Sequence, residues 1–237
     1  MILRRITQAF RKQDWFTVFV ETMIVVFGVF IGLQVNNWNE ARSADRIEAE
    51  LRTALEQDFV ELETQLSDRI QSLNTLAGCV SKLLDIVRTD VPPTDSEAII
   101  ALLNKTSNIP RLPSPPVSYV EASSAGRLST LSDPELRRAL SRYGQAVELY
   151  QFALPMFSDP IVGRSSLFAQ AIRISSDLEV TKDPDGGIEG YDWEILKNAD
   201  YDVQMALLWA VSGEQLALRQ LNEVETILEL LGSERAR

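Results

Sequence analysis

The chain has 237 residues, a formal net charge of −11, one cysteine and no histidine. Lack of histidine excludes Ser-His-Asp and Cys-His catalysis, and it removes the commonest general base and metal ligand. The 34 acidic residues outnumber the 23 basic ones, which argues against the basic patch that nucleic-acid binding requires. We therefore expect no enzymatic activity, no metal, no cofactor and no nucleic-acid partner. Ser-Lys and carboxylate-pair chemistry stay open as alternatives, although no spacing in the chain indicates either.

Residues 1–14 form a basic segment that carries Arg4, Arg5, Arg11 and Lys12. Its apolar residues fall near one helical face, which predicts a short amphipathic arm on the cytoplasmic surface of a membrane. A plain basic flank of a membrane helix explains the same charges.

Residues 15–38 read WFTVFVETMIVVFGVFIGLQVNNW and predict a transmembrane helix. About 20 apolar residues at 1.5 Å rise span roughly 30 Å, and tryptophans at both ends match the interfacial aromatic belt. A buried core helix is one alternative. A cleaved signal peptide is another, with Ala41-Arg42-Ser43 as a weak cleavage pattern.

Basic residues before the predicted span favour a cytoplasmic N-terminus, because Lys and Arg concentrate on that side. Residues 39–232 then form an extracytoplasmic domain, and residues 233–237 a charged tail. We expect a bacterial inner (plasma) membrane location, with the lipid bilayer as one partner.

One stripe of the predicted span combines small residues with a carboxylate. Glu21, Val25, Gly28 and Gly32 share a face at helical spacing, and Gly-x-x-x-Gly lets two helices approach closely. An ionisable group inside a span indicates a functional site. We predict that this stripe is a transmembrane association face; no ligand-binding residue is predicted.

Residues 44–88 carry apolar residues every three or four positions, which predicts a long amphipathic helix. The apolar positions are Ile47, Leu51, Leu55, Phe59, Leu62, Leu66, Ile70, Leu73, Ala77, Val80, Leu84 and Val87. Their near-heptad spacing fits a coiled-coil stalk or the longest helix of a bundle. We favour the bundle because further apolar helices follow. Cys79 lies within this pattern and is predicted to be a buried small hydrophobe, with pairing to another chain as the alternative.

Capping boxes and prolines divide the next part of the chain. Thr94 and Glu97 predict the start of a short helix after Pro92-Pro93, and Ser132 with Glu135 predict the start of a longer one. The proline-rich residues 107–118 predict a rigid connector or a docking loop.

Residues 119–131 are rich in small side chains, and Gly126 is predicted to end a helix in the left-handed conformation. A ligand-facing turn with Arg127 as an anion contact is the alternative. Pro155 and Pro160 are predicted to break the following helix, with a restart that runs to Ile172.

Residues 181–190 hold Asp183, Asp185 and Glu189, but their spacing departs from a calcium-binding EF-hand loop. We predict a glycine-rich turn, then a last helix from Asp192 or Ala199 to Leu231 that stops at Gly232. No strand pattern is found.

Two stretches resemble a widespread family of uncharacterised bacterial single-pass inner-membrane proteins. The first is FVETMIVVFGVFIGLQVNNWNEAR, with an anchor that ends in GLQVNNWN, and the second is SSAGRLSTLSDPELRRALSRY at residues 123–143. The resemblance implies a single membrane anchor and assigns no reaction and no catalytic residue.

Together these features predict an all-α fold, an N-terminal transmembrane helix followed by an extracytoplasmic antiparallel helical bundle. The expected function is a membrane-anchored, non-enzymatic interaction or assembly protein of the bacterial envelope, acting as a homo-oligomer or with an envelope partner. A periplasmic small-molecule sensor that signals through a separate partner is the alternative. Its ligand would lie between the helices that start near Glu97, Ser132 and Asp192.

Overall fold

A computed structural model describes residues 15–89, 91–108, 110–163, 165–177, 179, 181 and 186–233, with the backbone alone at 15–18, 154–162 and 233. The predicted arm at residues 1–14, Asp183 and Asp185 of the calcium comparison, and residues 234–237 of the tail lie outside the described residues. The chain divides into two compact units, Met1–Leu51 and Arg52–Arg237.

The described chain is mainly helical, as an all-α fold requires. Its α-helices are α1 (Trp15–Arg88), α2 (Ser96–Ser107), α3 (Val117–Ser124), α4 (Pro134–Val162), α5 (Leu167–Ala171), α6 (Trp193–Leu196) and α7 (Asp200–Ser233). A 3₁₀-helix covers Arg127–Thr130, and two short strands, β1 and β2, cover Ile172–Ile174 and Ile188–Tyr191.

The first unit contains the N-terminal part of α1. Sequence analysis predicts separate helices over 15–38 and 44–88, but α1 is uninterrupted between them. Residues 39–43 contain neither glycine nor proline, so nothing there breaks the backbone ladder. The Asn36 side-chain amide donates to Glu40 at 2.7 Å, and Arg46 pairs with Glu50 at 3.0 Å, both one helical turn apart.

The second unit is a bundle whose three long members are the C-terminal part of α1, α4 and α7. Arg88 pairs with Asp200 at 2.9 Å, and the Asn74 amide donates to Glu214 at 3.2 Å, so α1 and α7 are antiparallel. Arg142 of α4 pairs with Glu223 at 2.8 Å.

The far end of α4 lies near the start of α7, because the Phe168 amide in α5 donates to Asp202 at 3.1 Å. Both α1 and α4 are therefore antiparallel to α7 and parallel to each other. The predicted antiparallel packing thus describes the pairs that α7 forms with α1 and with α4, whereas α1 and α4 are parallel because the chain between them returns to the starting end of the bundle.

The bundle core follows the predicted period of α1. Most of the predicted stripe is buried, but Ile47 is 48% exposed, and Leu76 and Leu83 are buried besides. From α4 and α7 the core receives Leu136, Leu140, Tyr143, Val203, Ala206, Trp209, Ala210, Val224 and Ile227. Full burial of one such side chain stabilises by roughly 1.5–3 kcal/mol.

The predicted capping box of α2 is displaced by one residue. The Asp95 carboxylate accepts from the Ala98 amide at 2.9 Å, so Asp95 rather than Thr94 is the N-cap, because aspartate caps as well as threonine does. At the start of α4, the Asp133 carboxylate accepts from the Glu135 amide at 2.8 Å.

The predicted ends of the helices have mixed outcomes. Gly126 has φ 69°, the left-handed conformation predicted after α3. Pro155 and Pro160 do not break α4, because each proline removes one backbone hydrogen bond while the rest of the ladder remains. Gly232 lies inside α7, which ends at Ser233 rather than at Leu231.

A short antiparallel hairpin replaces part of the predicted helix and turn. Strand β1 pairs with β2, Ile172 opposite Tyr191. The side chain of buried Asn104 in α2 holds β2 in place: its Oδ1 accepts from the Ile188 amide at 2.9 Å and its Nδ2 donates to the Ile188 carbonyl at 3.3 Å. The expectation of no strands is therefore wrong, because three- and four-residue strands are too short to show alternation.

Candidate functional site

The largest uncovered apolar surface of the described chain lies on α1 in the first unit. Among the described residues, one helix is long and apolar enough to cross a membrane, and none of its most apolar stretch is buried. The exposed side chains are Phe19, Val20, Met23, Ile24, Val25, Val26, Phe27, Val29, Phe30, Ile31, Leu33 and Val35. A protein core helix would instead be covered by its neighbours.

The predicted association face lies within this surface. Glu21, Val25, Gly28 and Gly32 are all exposed and follow one line along the helix. A Cβ atom added at Gly28 or Gly32 would have no neighbour within 4 Å. Neither glycine is required by the packing of this chain, so any role of the small residues lies in contact with another molecule.

A second candidate is a polar cleft in the bundle unit, next to a cluster of three aromatic rings. Phe59, Tyr119 and Tyr143, from α1, α3 and α4, pack edge to face with centroid distances of 5.2–6.4 Å. Such pairs contribute about 0.5–1.5 kcal/mol each beyond the area they bury. The cluster fixes the position of the Tyr119 side chain.

Two further residues position Tyr119. The Ser118 amide donates to the Asp58 carboxylate of α1 at 3.0 Å, which supplies the cap that Pro116 lacks at the start of α3. Gly144 lies against the Tyr119 hydroxyl so closely that a Cβ atom there would collide with it. Close approach of the phenol thus requires glycine at position 144.

The cleft has a volume of about 390 Å³ and is open to solvent. Its polar lining comprises Tyr119, Ser123, Ser129, Arg137, Ser141, Gln145 and Glu148. Part of this lining is already engaged, since Arg137 donates to the carbonyl oxygens of Leu131 and Ser132. The remaining hydroxyl, amide and carboxylate groups suit a small, polar, uncharged or cationic molecule.

Burial raises the pKa of the Tyr119 phenol, and the nearby Glu148 carboxylate adds to the rise, while a hydrogen bond with Ser123 opposes it. Burial also raises the pKa of Tyr143, with Tyr119 contributing. Both phenols therefore remain neutral at physiological pH. Within the cleft, Tyr119 therefore presents a neutral hydroxyl for hydrogen bonding.

A second open groove, of about 510 Å³, includes the single cysteine. Cys79 is half-buried rather than buried as predicted, and the groove around it is polar, with Asp68, Arg69 and Lys105. Among the described residues, no group of three or more His, Cys, Asp or Glu side chains is arranged to hold a metal ion.

Other predicted positions do not converge on a site. Ser132 lies at the end of the bundle near Arg137, whereas Asp192 lies at the opposite end, next to α5 through the bond from its amide to the Ala171 carbonyl at 2.8 Å. Arg127 is exposed on the 3₁₀-helix and lines neither the Tyr119 cleft nor the groove beside Cys79. The proline-rich segment is held to the bundle, since the Leu112 amide donates to the Tyr150 hydroxyl at 3.4 Å.

Sequence reasoning missed Tyr119, Gly144 and Asp58 as positioning residues. Gly144 did carry a signal, because a glycine inside a predicted helix usually has a packing reason. Asp58 and Tyr119 carried none, since Asp58 contacts Ser118 and Tyr119 contacts Phe59, each on a helix distant in sequence.

The fold and these surfaces define a helical-bundle protein with one uncovered apolar helix at its N-terminal end. The protein belongs to a family of unknown function, DUF6090, which matches residues 21–155, more than half of the chain. The match includes most of the apolar segment, from residue 21 onward, together with the aromatic cluster and the Tyr119 cleft. No curated protein and no solved structure matches the chain.

Proposed function

We propose that this protein is a non-enzymatic, membrane-anchored interaction protein of the bacterial envelope, with residues 15–38 crossing the inner membrane. The uncovered apolar segment of α1 carries the proposal. Water contact costs about 25 cal/mol for each Å² of apolar surface, and a bilayer core removes that cost along the whole segment.

The basic residues near the N-terminus support an orientation with residues 1–14 in the cytoplasm and residues 39–232 outside it. A cysteine at exposed Ser124, in a chain with Cys79→Ala, tests the orientation with an impermeant maleimide. Labelling of intact spheroplasts is expected. Labelling only after lysis would reverse the orientation.

The association face supports a partner within the membrane, either a second copy of this chain or another envelope protein. Glu21 lies on the same stripe as Gly28 and Gly32, where a neighbouring helix would shield its carboxyl from lipid. Close packing across glycines replaces the hydrophobic effect as the driving force between helices in lipid.

Crosslinking in native membranes, followed by mass spectrometry of the retained proteins, tests the assembly. Gly28→Leu with Gly32→Leu is expected to abolish the crosslinked species. Val26→Leu with Phe30→Leu, on the opposite face, is the matched control and should preserve it. Equal crosslinking in both variants would remove the association face from the proposal.

The Tyr119 cleft favours a second function, recognition of a small polar molecule in the manner of a sensor. Native mass spectrometry of the full chain purified from membranes is the test. A bound molecule that is lost in Ser141→Leu and kept in Tyr201→Phe, at an exposed site elsewhere, would support a sensor. An empty chain would remove this second function.

A further inference from the structure

A single cation overlies an aromatic ring just beyond the apolar segment of α1. The Arg42 guanidinium lies 5.6 Å from the centroid of the Trp38 ring, within the range of a cation–π interaction. Trp38 itself is 64% exposed. The two side chains, one helical turn apart, form one flat and positively charged surface.

The depth of this surface follows from helix geometry. Val35 is the last residue of the apolar run, and at 1.5 Å per residue Trp38 lies about 4.5 Å beyond it and the Cα of Arg42 about 10.5 Å. Helical side chains lean toward the N-terminus, so the Arg42 guanidinium returns to the level of Trp38. The headgroup layer of a bilayer is roughly 5–8 Å thick on each side, and this layer contains the lipid phosphates.

Two neighbouring charged side chains on the helix are already engaged. Arg46 pairs with Glu50 at 3.0 Å, and Glu40 accepts a hydrogen bond from Asn36 at 2.7 Å. Within the described part of the chain, Arg42 contacts the Trp38 ring and forms no ion pair. Its guanidinium donors are therefore available to an external anion.

We propose that Arg42 and Trp38 together bind the phosphate of an anionic phospholipid headgroup, an inference that rests on the proposed membrane span. The planar guanidinium donates paired hydrogen bonds to phosphate oxygens, and the indole lies at the boundary between headgroups and acyl chains. A free phosphate ion shares the hydrogen-bonding chemistry, but only a lipid also places acyl chains against Trp38. The contact sets the depth of α1 in the bilayer.

The test is a titration of the full chain, carrying Trp15→Phe, with short-chain phosphatidylglycerol in a non-ionic detergent, followed by tryptophan fluorescence. Arg42→Gln is expected to raise the apparent Kd about fivefold, the factor for one basic residue near an anionic lipid surface. Arg46→Gln is the matched control and should leave the Kd unchanged. Equal Kd values for the two variants would overturn the site.

Two further measurements separate a lipid phosphate from a free phosphate ion, and loss of the headgroup site from loss of the membrane span. A saturable response to inorganic phosphate alone would assign the site to a free anion and overturn the lipid. Flotation with phosphatidylglycerol vesicles after an alkaline wash tests the span itself. If the chain floats and the Kd of Arg42→Gln equals that of Arg46→Gln, the headgroup site alone is disproved. If the alkaline wash removes the chain from the vesicles, the membrane span and the headgroup site are both disproved.

Discussion

Two stretches of α1 have the same secondary structure and differ in what covers their apolar side chains. Between Phe19 and Val35 the large apolar residues are exposed, whereas in the bundle unit those that recur every third or fourth position, from Leu55 to Val87, are buried or half-buried. The first stretch is apolar on every side and the second on one stripe. In both stretches, the hydrogen bonds within the helix pair the backbone amides and carbonyls.

The difference teaches that each stretch requires a different neighbour. A single apolar stripe is covered by α4 and α7, which bring their own stripes to it. A helix that is apolar on nearly every face needs apolar neighbours all round, which is why a bilayer is proposed above to surround the first stretch. Covered and uncovered positions should therefore respond differently to the same substitution.

The largest effect is expected at a phenylalanine. Phe59→Ala removes the ring at the centre of the aromatic cluster and should lower the free energy of unfolding by about 3–5 kcal/mol. Phe30→Ala, in the uncovered stretch, should leave it unchanged. Urea unfolding of the full chain in detergent, followed by fluorescence of buried Trp209, measures both. Equal midpoints would contradict the distinction between the two stretches.

The next largest change in stability is expected at Asn104, and Asn36 provides the comparison. Asn104→Leu leaves the buried amide and carbonyl of Ile188 without partners and should cost about 2–4 kcal/mol. Asn36→Leu breaks an exposed bond to Glu40 and should cost less than about 0.5 kcal/mol. The same urea titration applies, and amide hydrogen exchange at Ile188 should accelerate in the first variant alone.

Alanine substitutions at two helical glycines should change the free energy of unfolding in opposite directions. Gly144→Ala forces the Tyr119 ring to move and should destabilise by about 1–2 kcal/mol. Gly78→Ala, on α1 with no atom within 4 Å of the added Cβ, should stabilise by up to about 1 kcal/mol through helix propensity. If Gly144→Ala stabilises as well, Tyr119 is not held where the structure has it.

The smallest effect concerns pH. Burial raises the pKa of Tyr143 above its ordinary value of 10.0, so the folded state holds its proton more tightly than the unfolded state does. That contribution is complete below pH 10 and is lost as pH rises through the folded-state pKa. Tyr143→Phe should therefore weaken the alkaline loss of stability, whereas Tyr201→Phe, at an exposed position, should not. Urea midpoints between pH 9 and 11 measure both slopes.

Much of the helical content was predictable because its signals are local. Residues within a turn or two of each other determine the apolar period of α1 and the left-handed conformation of Gly126. The same kind of local pattern predicts that α2, α4 and α7 exist. The N-cap of α2 was missed by one residue because Asp95, next to the predicted Thr94, can fill the same role. The β1–β2 hairpin was missed because Asn104, distant in sequence, supplies part of its hydrogen bonding.

The sequence by itself determined that residues 15–38 form an apolar helix and that the residues after it form amphipathic helices. Hydrophobic periodicity can be read from residues that are close together in sequence. Only the tertiary structure decided that α1 and α4 run parallel, that Phe59, Tyr119 and Tyr143 meet, and that Gly144 makes room for a phenol. Those contacts join segments many residues apart, and their geometry depends on how whole helices pack rather than on any local pattern.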